Sequence, residues 1–236
     1  MEAQQDRFFK GKIVIVQPRR GYRFSLDAVL LSSWVVISSS DFALELGGGF
    51  GPAALMVKFL NPETRIVSID IIEEYLRLFK RSIELNGFNG VFPVLADVKY
   101  PPFNKKFRVI FSNPPYLSPE RYRISPRREV ALSKYEIAAK LQDFLSCAYN
   151  HLAPDGRAFF IVGAEREDFG RMSLSTGFNI SEVLEIYEDE LPKFRIFTLT
   201  IERLPARTYR FKMREGGKYT EKMERVLEGE KLRYLI

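Results

Sequence analysis

A regular alternation of short apolar runs and amphipathic stretches through the middle of the chain constrains the fold most. Each apolar run is rich in β-branched and aromatic residues and is bounded by turn formers, which is typical of a buried strand. The stretches between the runs have helical periodicity. Strands that alternate with helices predict an α/β fold, with a mostly parallel sheet and helices on both faces.

The pattern predicts seven strands, at residues 42–46, 65–70, 91–95, 107–112, 157–162, 178–187 and 195–203. Pro93 favours an edge position for the third of them. Helices are expected at 26–37, from Pro52 onward, at 73–86 and at 133–152, with a short one before the sixth strand. Ser25 is expected to cap the first helix, and residues 154–156 to close the long one.

The chain divides into three predicted regions. Residues 1–38 form an N-terminal extension, a hairpin or small lid followed by a helix, that packs on the core. Residues 39–204 form the α/β domain. Residues 205–236 form a polar, basic C-terminal tail that belongs to the same unit.

Glycines and acids recur at the carboxyl ends of the expected strands, where open α/β sheets bind ligands. Gly47–Gly51 follows the first strand, and glycines allow a backbone to approach a ligand closely. Asp70 ends the second strand, where an acid can accept both hydroxyls of a ribose. The dinucleotide fingerprint needs a glycine where Pro52 stands, and the Gly-Lys-Ser/Thr of a P-loop is absent. The pattern indicates a nucleotide-like ligand of another kind.

The loop Asn113-Pro114-Pro115-Tyr116 follows the fourth strand. The prolines fix the backbone and have no N–H, so the loop offers acceptors, the Asn113 side-chain oxygen and the Pro114 carbonyl. Tyr116 adds a flat face for stacking. A planar ring with an exocyclic –NH2 would satisfy all three groups. Asn-Pro is also an ordinary turn signal.

Composition narrows the functional classes. The single cysteine, Cys147, excludes an internal disulfide framework and favours a reducing cytoplasm, and the single histidine, His151, excludes a multi-histidine metal site. At i, i+4 spacing these two are interpreted as a buried thiol and a helix-end residue, with no metal bound. A signal peptide and a membrane span are not expected. The net charge of +6 fits a nucleic-acid partner.

These motifs together resemble a class I, Rossmann-like S-adenosylmethionine-dependent methyltransferase that modifies an amino nitrogen. The stretch Gly21-Tyr22-Arg23-Phe24-Ser25-Leu26-Asp27-Ala28-Val29-Leu30-Leu31, with Gln17, is similar to the bacterial tRNA1(Val) (adenine37-N6)-methyltransferase family. Pro192-Lys193-Phe194-Arg195 and residues 217–221 also resemble that family. Two positions depart from its glycine loop, since Gly48 stands where Thr or Cys is common and Phe50 where Ser is common.

The resemblance implies S-adenosyl-L-methionine as cofactor and tRNA as substrate, with methyl transfer to adenine N6. It implies catalytic roles for Asn113, Pro114, Pro115 and Tyr116. It implies cofactor contacts by Phe24, Glu45, Leu46, Gly47, Gly48, Gly49, Gly51, Asp70, Ile71, Asp97, Val98 and Asn113. Basic residues expected near the same rim and available to RNA are Arg19, Arg20, Arg121, Arg123, Arg127, Arg128, Lys193 and Arg195.

Three other functions remain open at this point. A protein glutamine N5-methyltransferase presents the same –NH2 geometry, but only about 40 residues precede the glycine loop, too few for that family's helical N-terminal domain. A DNA adenine N6-methyltransferase would be expected to carry a larger base-recognition domain. A non-catalytic RNA-binding module would not need the intact loop. We expect a cytoplasmic protein and favour a monomer.

Overall fold

The computed structural model describes residues 2–20, 23–38, 41–115 and 138–236, and within them the chain forms a small hairpin and one large sheet. The hairpin pairs β1 (Ala3–Phe8) with β2 (Ile13–Pro18). The strands of the large sheet are, in chain order, β3 (Phe42–Leu46), β4 (Arg65–Asp70), β5 (Val91–Leu95), β6 (Phe107–Ser112), β7 (Leu152–Gly163), β8 (Asn179–Glu188), β9 (Leu191–Thr200), β10 (Arg207–Glu215) and β11 (Lys218–Tyr219).

The strand order across the large sheet is β5-β4-β3-β6-β7-β9-β8-β10-β11. Neighbours from β5 through β7 run parallel, whereas β9 is antiparallel to both β7 and β8. β3 lies between β4 and β6, so the loops that follow these three strands meet at one edge. This arrangement confirms the predicted mostly parallel α/β fold and places β5 at an edge.

Helices cover both faces of the sheet and enclose two apolar cores. Helices α1 and α2 pack together and α3 packs on β2 and β5, while α4 and α5 pack on the opposite face. The helices are α1 (Leu26–Trp34), α2 (Pro52–Leu60), α3 (Glu73–Asn86), α4 (Leu141–His151), α5 (Phe169–Thr176) and α6 (Glu221–Leu227), followed by a 3-10 turn at Leu232–Tyr234.

Several predicted boundaries are wrong. Helix α1 ends at Trp34. Ser25 takes the predicted N-cap position, but its hydroxyl makes no cap hydrogen bond and instead donates to Asp27 Oδ1 at 2.7 Å. Residues 138–140 are not helical, so the described part of the long helix begins at Leu141; residues 133–137 lie outside the described ranges. Residues 154–156 belong to β7, within the stretch where its register with β6 shifts.

The predicted basic tail contributes two further strands, which bring the described sheet from seven strands to nine. β10 pairs in parallel with β8 and buries Phe211 and Met213. Beyond β11, Met223 and Val226 of α6 are also buried in the core. The sequence of this segment is polar because basic residues alternate with the buried residues of β10 and lie on its opposite side.

The N-terminal hairpin is fixed to α3 by hydrogen bonds from side chains of the helix. The Asn86 amide accepts from the Val14 N–H at 2.8 Å and donates to the Val14 carbonyl at 2.6 Å. Ser82 Oγ accepts from the Val16 N–H at 2.9 Å. These bonds satisfy backbone groups of β2 that do not pair with β1. None of the helices in the described ranges is long and apolar enough to cross a membrane.

Candidate cofactor and active site

The glycine loop links β3 to α2 through a tight turn. The N–H groups of Gly47 and Gly48 both donate to the Ile69 carbonyl of β4, at 2.9 and 3.0 Å. Gly51 has a φ of 82°, and a Cβ there would overlap the Phe79 ring, so the position requires glycine. Pro52 takes the first position of α2, where no N–H is needed.

Asp70, at the end of β4, binds the glycine loop from the neighbouring strand. Its two carboxylate oxygens accept hydrogen bonds from the N–H groups of Gly49 and Ile72, both at 2.8 Å. Burial raises the pKa of Asp70 above its ordinary value, and the backbone hydrogen bonds oppose that rise only in part. A carboxylate has about four acceptor positions, so Asp70 can still accept from a hydroxyl group of a ligand.

Glu45, on β3, is a second carboxyl group at the same edge, and it is only 3% exposed. Its Oε2 accepts a hydrogen bond from Ser68 Oγ of β4. Burial raises the pKa of Glu45 to about 7, and the Ser68 hydrogen bond opposes that rise. A carboxyl group with a pKa near neutrality ionises when a cation binds beside it.

The loop after β5 supplies a third acid and an apolar wall. Asp97 Oδ1 accepts the Lys99 N–H at 2.9 Å, and its Oδ2 lies 3.5 Å from Lys99 Nζ. Val98 is buried, whereas Ile71 exposes 41% of its surface. Ile71, Val98 and Phe144 of α4 border the same cleft and offer apolar faces to a flat ring.

The loop after β6 begins beside the glycine loop. The Ser112 hydroxyl donates to the Leu46 carbonyl at 2.7 Å and joins the ends of β6 and β3. Asn113 and Pro115 then border the cleft, and Pro114 is buried. Tyr116 lies outside the described residues.

One cleft, partly open to solvent, gathers most of the residues that the sequence implied for the site. Those residues are Glu45, Gly47, Gly48, Gly49, Asp70, Ile71, Asp97, Val98, Asn113 and Pro115. Because they come from the ends of β3, β4, β5 and β6, the strand order alone explains why they meet.

Among the implied residues that the structure describes, four do not border the cleft. Leu46 and Pro114 are buried, and Gly51 serves the turn into α2. Phe24 reaches the cleft indirectly, because its ring centroid lies 6.2 Å from that of Phe50, which does border the cleft.

Several residues of the cleft wall were missed by the sequence reasoning. They are Ala28, Phe50, Pro52, Ala53, Ile72, Ala96, Ala138, Ala139 and Phe144. Nearly all are small or apolar and carry no chemical signal of their own. Phe50 could have been included, since it lies inside the glycine loop.

The basic candidates for RNA binding come from several parts of the chain, and two of them, Lys193 and Arg195, lie in strand β9. Lys193 lies 3.7 Å from Glu188, and Arg195 donates to the Ala164 carbonyl at 2.9 Å. Their part of β9 pairs with the carboxyl end of β7, so both residues lie at the edge of the sheet that carries Asn113. Arg19 and Arg20 are exposed after β2, whereas Arg121, Arg123, Arg127 and Arg128 lie outside the described residues.

Cys147 and His151 lie on one face of α4. Cys147 Sγ is 4.0 Å from His151 Nδ1, and that nitrogen is 2.8 Å from the Cys147 carbonyl. Burial raises the pKa of Cys147 to about 12, so the thiol stays protonated at neutral pH. The prediction of a buried thiol is confirmed, and no group of metal ligands occurs within the described residues.

The fold and the cleft define a class I S-adenosylmethionine-dependent methyltransferase, as the following comparisons show. A family model described as the methyltransferase small domain matches residues 27–189. The chain therefore belongs to the methyltransferase small domain family.

Similar curated proteins are named tRNA1(Val) (adenine(37)-N6)-methyltransferases. One from a Flavobacteriaceae bacterium is 28% identical over 64% of this chain and 64% of its own length. One from Vibrio parahaemolyticus is 25% identical over 79% of this chain and 78% of its own length. A bifunctional methyltransferase of Rickettsia typhi is 28% identical over 82% of this chain but only 38% of its own length.

Solved structures of methyltransferases share the fold. A predicted O-methyltransferase from Agrobacterium tumefaciens matches with a TM-score of 0.67 and 18% identity, over 86% of this chain and 96% of that one. A Thermus thermophilus 16S rRNA N2 G1207 methyltransferase, solved with AdoMet and guanosine, matches with a TM-score of 0.60 and 13% identity, over 85% and 50% of the chains.

Proposed function

We propose that this protein transfers a methyl group from S-adenosylmethionine to the exocyclic N6 of an adenine in tRNA, beside the anticodon. The observation that carries the proposal is that Asn113 and Pro115 border the same cleft as Asp70 and Glu45. A loop suited to an amine thus lies against a pocket suited to the cofactor. The names of the similar curated proteins support the choice of substrate.

The cleft fits the cofactor in polarity, because its acids lie beside apolar side chains. Asp70 would accept the ribose hydroxyls at the acceptor positions that Gly49 and Ile72 leave open. Glu45 would receive the ammonium group of the methionine end, which favours its ionised form. Asp97 would accept from the adenine amino group, while Ile71 and Val98 would contact the ring.

S-adenosylmethionine supplies an electrophilic methyl group bonded to a positively charged sulfur. The Asn113 side-chain oxygen and the Pro114 carbonyl would accept the two protons of the target amine. Those hydrogen bonds would orient the nitrogen and stabilise the positive charge that develops on it as the nitrogen–methyl bond forms and the sulfur–methyl bond breaks, with S-adenosylhomocysteine as the leaving group. Tyr116 would stack on the base, a contact worth about 1–3 kcal/mol.

A strong general base is not required by this proposal. The adenine amine is a weak nucleophile because its lone pair is delocalised into the ring, and its proton becomes acidic only after the methyl group has been transferred. The proton can then leave to water. The described part of the chain contains one histidine, His151, at the end of α4, and no role in the reaction is assigned to it.

The substrate would approach along the edge of the sheet where the loops of β3, β4 and β6 meet. Arg19, Arg20, Lys193 and Arg195 would contact phosphates, which makes binding dependent on salt. Arg123, Arg127 and Arg128 are proposed to contribute in the same way. We further propose that the protein acts on tRNA in the cytoplasm as a monomer, and that the reaction needs no metal.

The test supplies methyl-labelled S-adenosylmethionine together with unmodified bulk tRNA, DNA and a protein extract, each in a separate reaction. We expect label in N6-methyladenine of tRNA. Label only in glutamine of a protein would indicate the glutamine N5 activity, and label only in DNA would indicate the DNA activity. Cofactor binding with no turnover on any substrate would favour a non-catalytic module.

A further inference from the structure

Gly48 differs from the other glycines of its loop. Gly47, Gly49 and Gly51 have φ values of 69°, 57° and 82°, a conformation that favours glycine. Gly48 is not among the residues with positive φ, so its backbone does not itself require glycine. Its neighbours exclude a side chain instead, because a Cβ on Gly48 would overlap Ser68 Oγ and the Glu45 carboxylate.

Ser68 fills that space from the neighbouring strand. It lies opposite Glu45 in the parallel pairing of β3 with β4 and is fully buried. Its hydroxyl donates to Glu45 Oε2, so one oxygen of the carboxylate is fixed in direction. Ser68 is therefore the side chain that sets where a buried acid of the cleft points.

The other groups that face Glu45 cannot replace this hydrogen bond. From the end of β4, Asp70 carries a like charge and raises the pKa of Glu45. From α2, a hydrogen bond from the Ala54 backbone lowers the pKa of Glu45 less than the Ser68 hydroxyl does. On the β6 side, the residue opposite Glu45 is the apolar Phe111.

We propose that Ser68 is a positioning residue for the cofactor, and that Gly48 is glycine so that Ser68 can take this place. The hydroxyl holds the Glu45 carboxylate toward the cleft and stabilises its ionised form, which receives the ammonium group of the ligand. The inference rests on the role proposed above for Glu45. Ser68 itself touches neither the cofactor nor the substrate.

The test measures the Kd of S-adenosylhomocysteine, which carries the same ammonium group, from pH 6 to pH 9 by calorimetry. Without the Ser68 hydrogen bond, Glu45 should ionise at higher pH. In Ser68→Ala the Kd relative to wild type should be raised about tenfold at pH 6 and less than about twofold at pH 9. The ammonium group of the ligand titrates in the same way with both proteins, so its effect cancels when the Kd of Ser68→Ala is divided by the Kd of wild type.

Two further variants separate positioning from packing. Ser68→Thr keeps the hydroxyl, so its pH profile should follow that of wild type even where the added methyl group lowers stability. Ser173→Ala removes another fully buried serine hydroxyl, in α5 on the far face, and should leave the ratio at about one at every pH. A ratio for Ser68→Ala that is constant with pH would overturn the proposal.

Position 48 gives an independent check. Gly48→Ala should weaken binding strongly in the wild-type background and less in the Ser68→Ala background, because the second change removes one of the overlapping atoms. Strictly additive effects would contradict the pairing of the two positions. Glu45→Gln tests whether Glu45 binds the ammonium group at all. Unchanged binding of S-adenosylhomocysteine in Glu45→Gln would refute that role of Glu45. If Glu45→Gln weakens binding but the Kd of Ser68→Ala relative to wild type does not change with pH, only the positioning role of Ser68 is refuted.

Discussion

At the scale of single residues, the cleft differs from the rest of the molecule in how a desolvated carboxyl group is paired, as a comparison of Glu45 with Glu182 shows. Burial raises the pKa of Glu45 to about 7. Glu182, on β8, is also desolvated, but hydrogen bonds from Arg233 and Thr198 lower its pKa. The Glu45 carboxyl accepts hydrogen bonds from the uncharged Ser68 hydroxyl and Ala54 backbone, which suits a site that binds a cation. The Glu182 carboxyl is already paired with the Arg233 cation.

The first prediction concerns the pH dependence of stability in the free protein. The folded pKa of Glu45 lies above its ordinary value, so between pH 4.5 and about 7 the folded protein holds a proton that the unfolded chain has released. This group therefore lowers stability as pH rises through that window, by at most about 3 kcal/mol. Glu45→Gln should remove this loss.

We expect Glu45→Gln to unfold at a higher urea concentration than wild type at pH 8, with the difference smaller at pH 5. Glu84→Gln, at an exposed position of α3, should give no such pH-dependent difference. Parallel curves for Glu45→Gln and wild type across this range would show that Glu45 is not a buried, titrating group.

The acids and glycines of the cleft could be predicted because their positions follow from topology. Asp70 ends β4, and Asp97 and Asn113 come just after β5 and β6; the apolar pattern of these strands is plain in the sequence. Phe144 and Ala139 could not be predicted, because they are apolar residues far away in the chain and only packing brings them to the cleft.

At the scale of elements, the sequence predicts a strand or helix well when its burial pattern is simple. β4 is buried along most of its length, and α3 has a clear apolar face and ends at Gly87, so both were predicted with the observed bounds. β10 was missed, because Tyr209, Phe211 and Met213 alternate with basic residues that pair with acids of β8 and its flanking turns.

The second prediction concerns the hairpin, which is attached to α3 by few hydrogen bonds. Asn86→Ala would leave the N–H and carbonyl of Val14 without their partner, at a cost of about 1–3 kcal/mol. The Val14 amide should then exchange its hydrogen faster, as measured by exchange with deuterium. Leu85→Ala, at an exposed neighbouring position, should not change that rate. Unchanged exchange in Asn86→Ala would mean that the hairpin is held by its apolar contacts alone.

At the scale of the whole molecule, the C-terminal region closes the core on the face covered by α1 and α2. Leu232 and Leu235 are buried there, and the Arg233 guanidinium lies 3.9 Å from the Trp34 ring. Arg233 donates two hydrogen bonds to the Glu182 carboxylate, at 2.9 and 2.7 Å. The chain end thus joins α1 to β8.

The third prediction follows from this ion pair. Arg233→Ala would leave Glu182 desolvated without its cation and should lower the free energy of unfolding by about 2–4 kcal/mol at pH 7. Because pairing lowers the pKa of Glu182, its contribution is present above the unfolded value and is lost as pH falls through the folded pKa. The difference from wild type should therefore shrink in acid.

Denaturant unfolding at pH 7 and pH 3 would measure both effects. Arg207→Ala, at an exposed position of β10, is the matched loss of a guanidinium and should cost little at either pH. An equal cost for Arg233→Ala and Arg207→Ala would contradict the proposed importance of the partly buried ion pair between Arg233 and Glu182.

The account as a whole depends on one cleft that both binds the cofactor and holds the amine. The most direct measurement is made on Asn113→Ala, in which the cofactor Kd and the single-turnover rate of N6-methyladenine formation in tRNA are determined together. We expect the rate to fall at least about 100-fold while the Kd stays within about threefold, because Asn113 acts on the amine. A rate close to that of wild type would contradict the central claim.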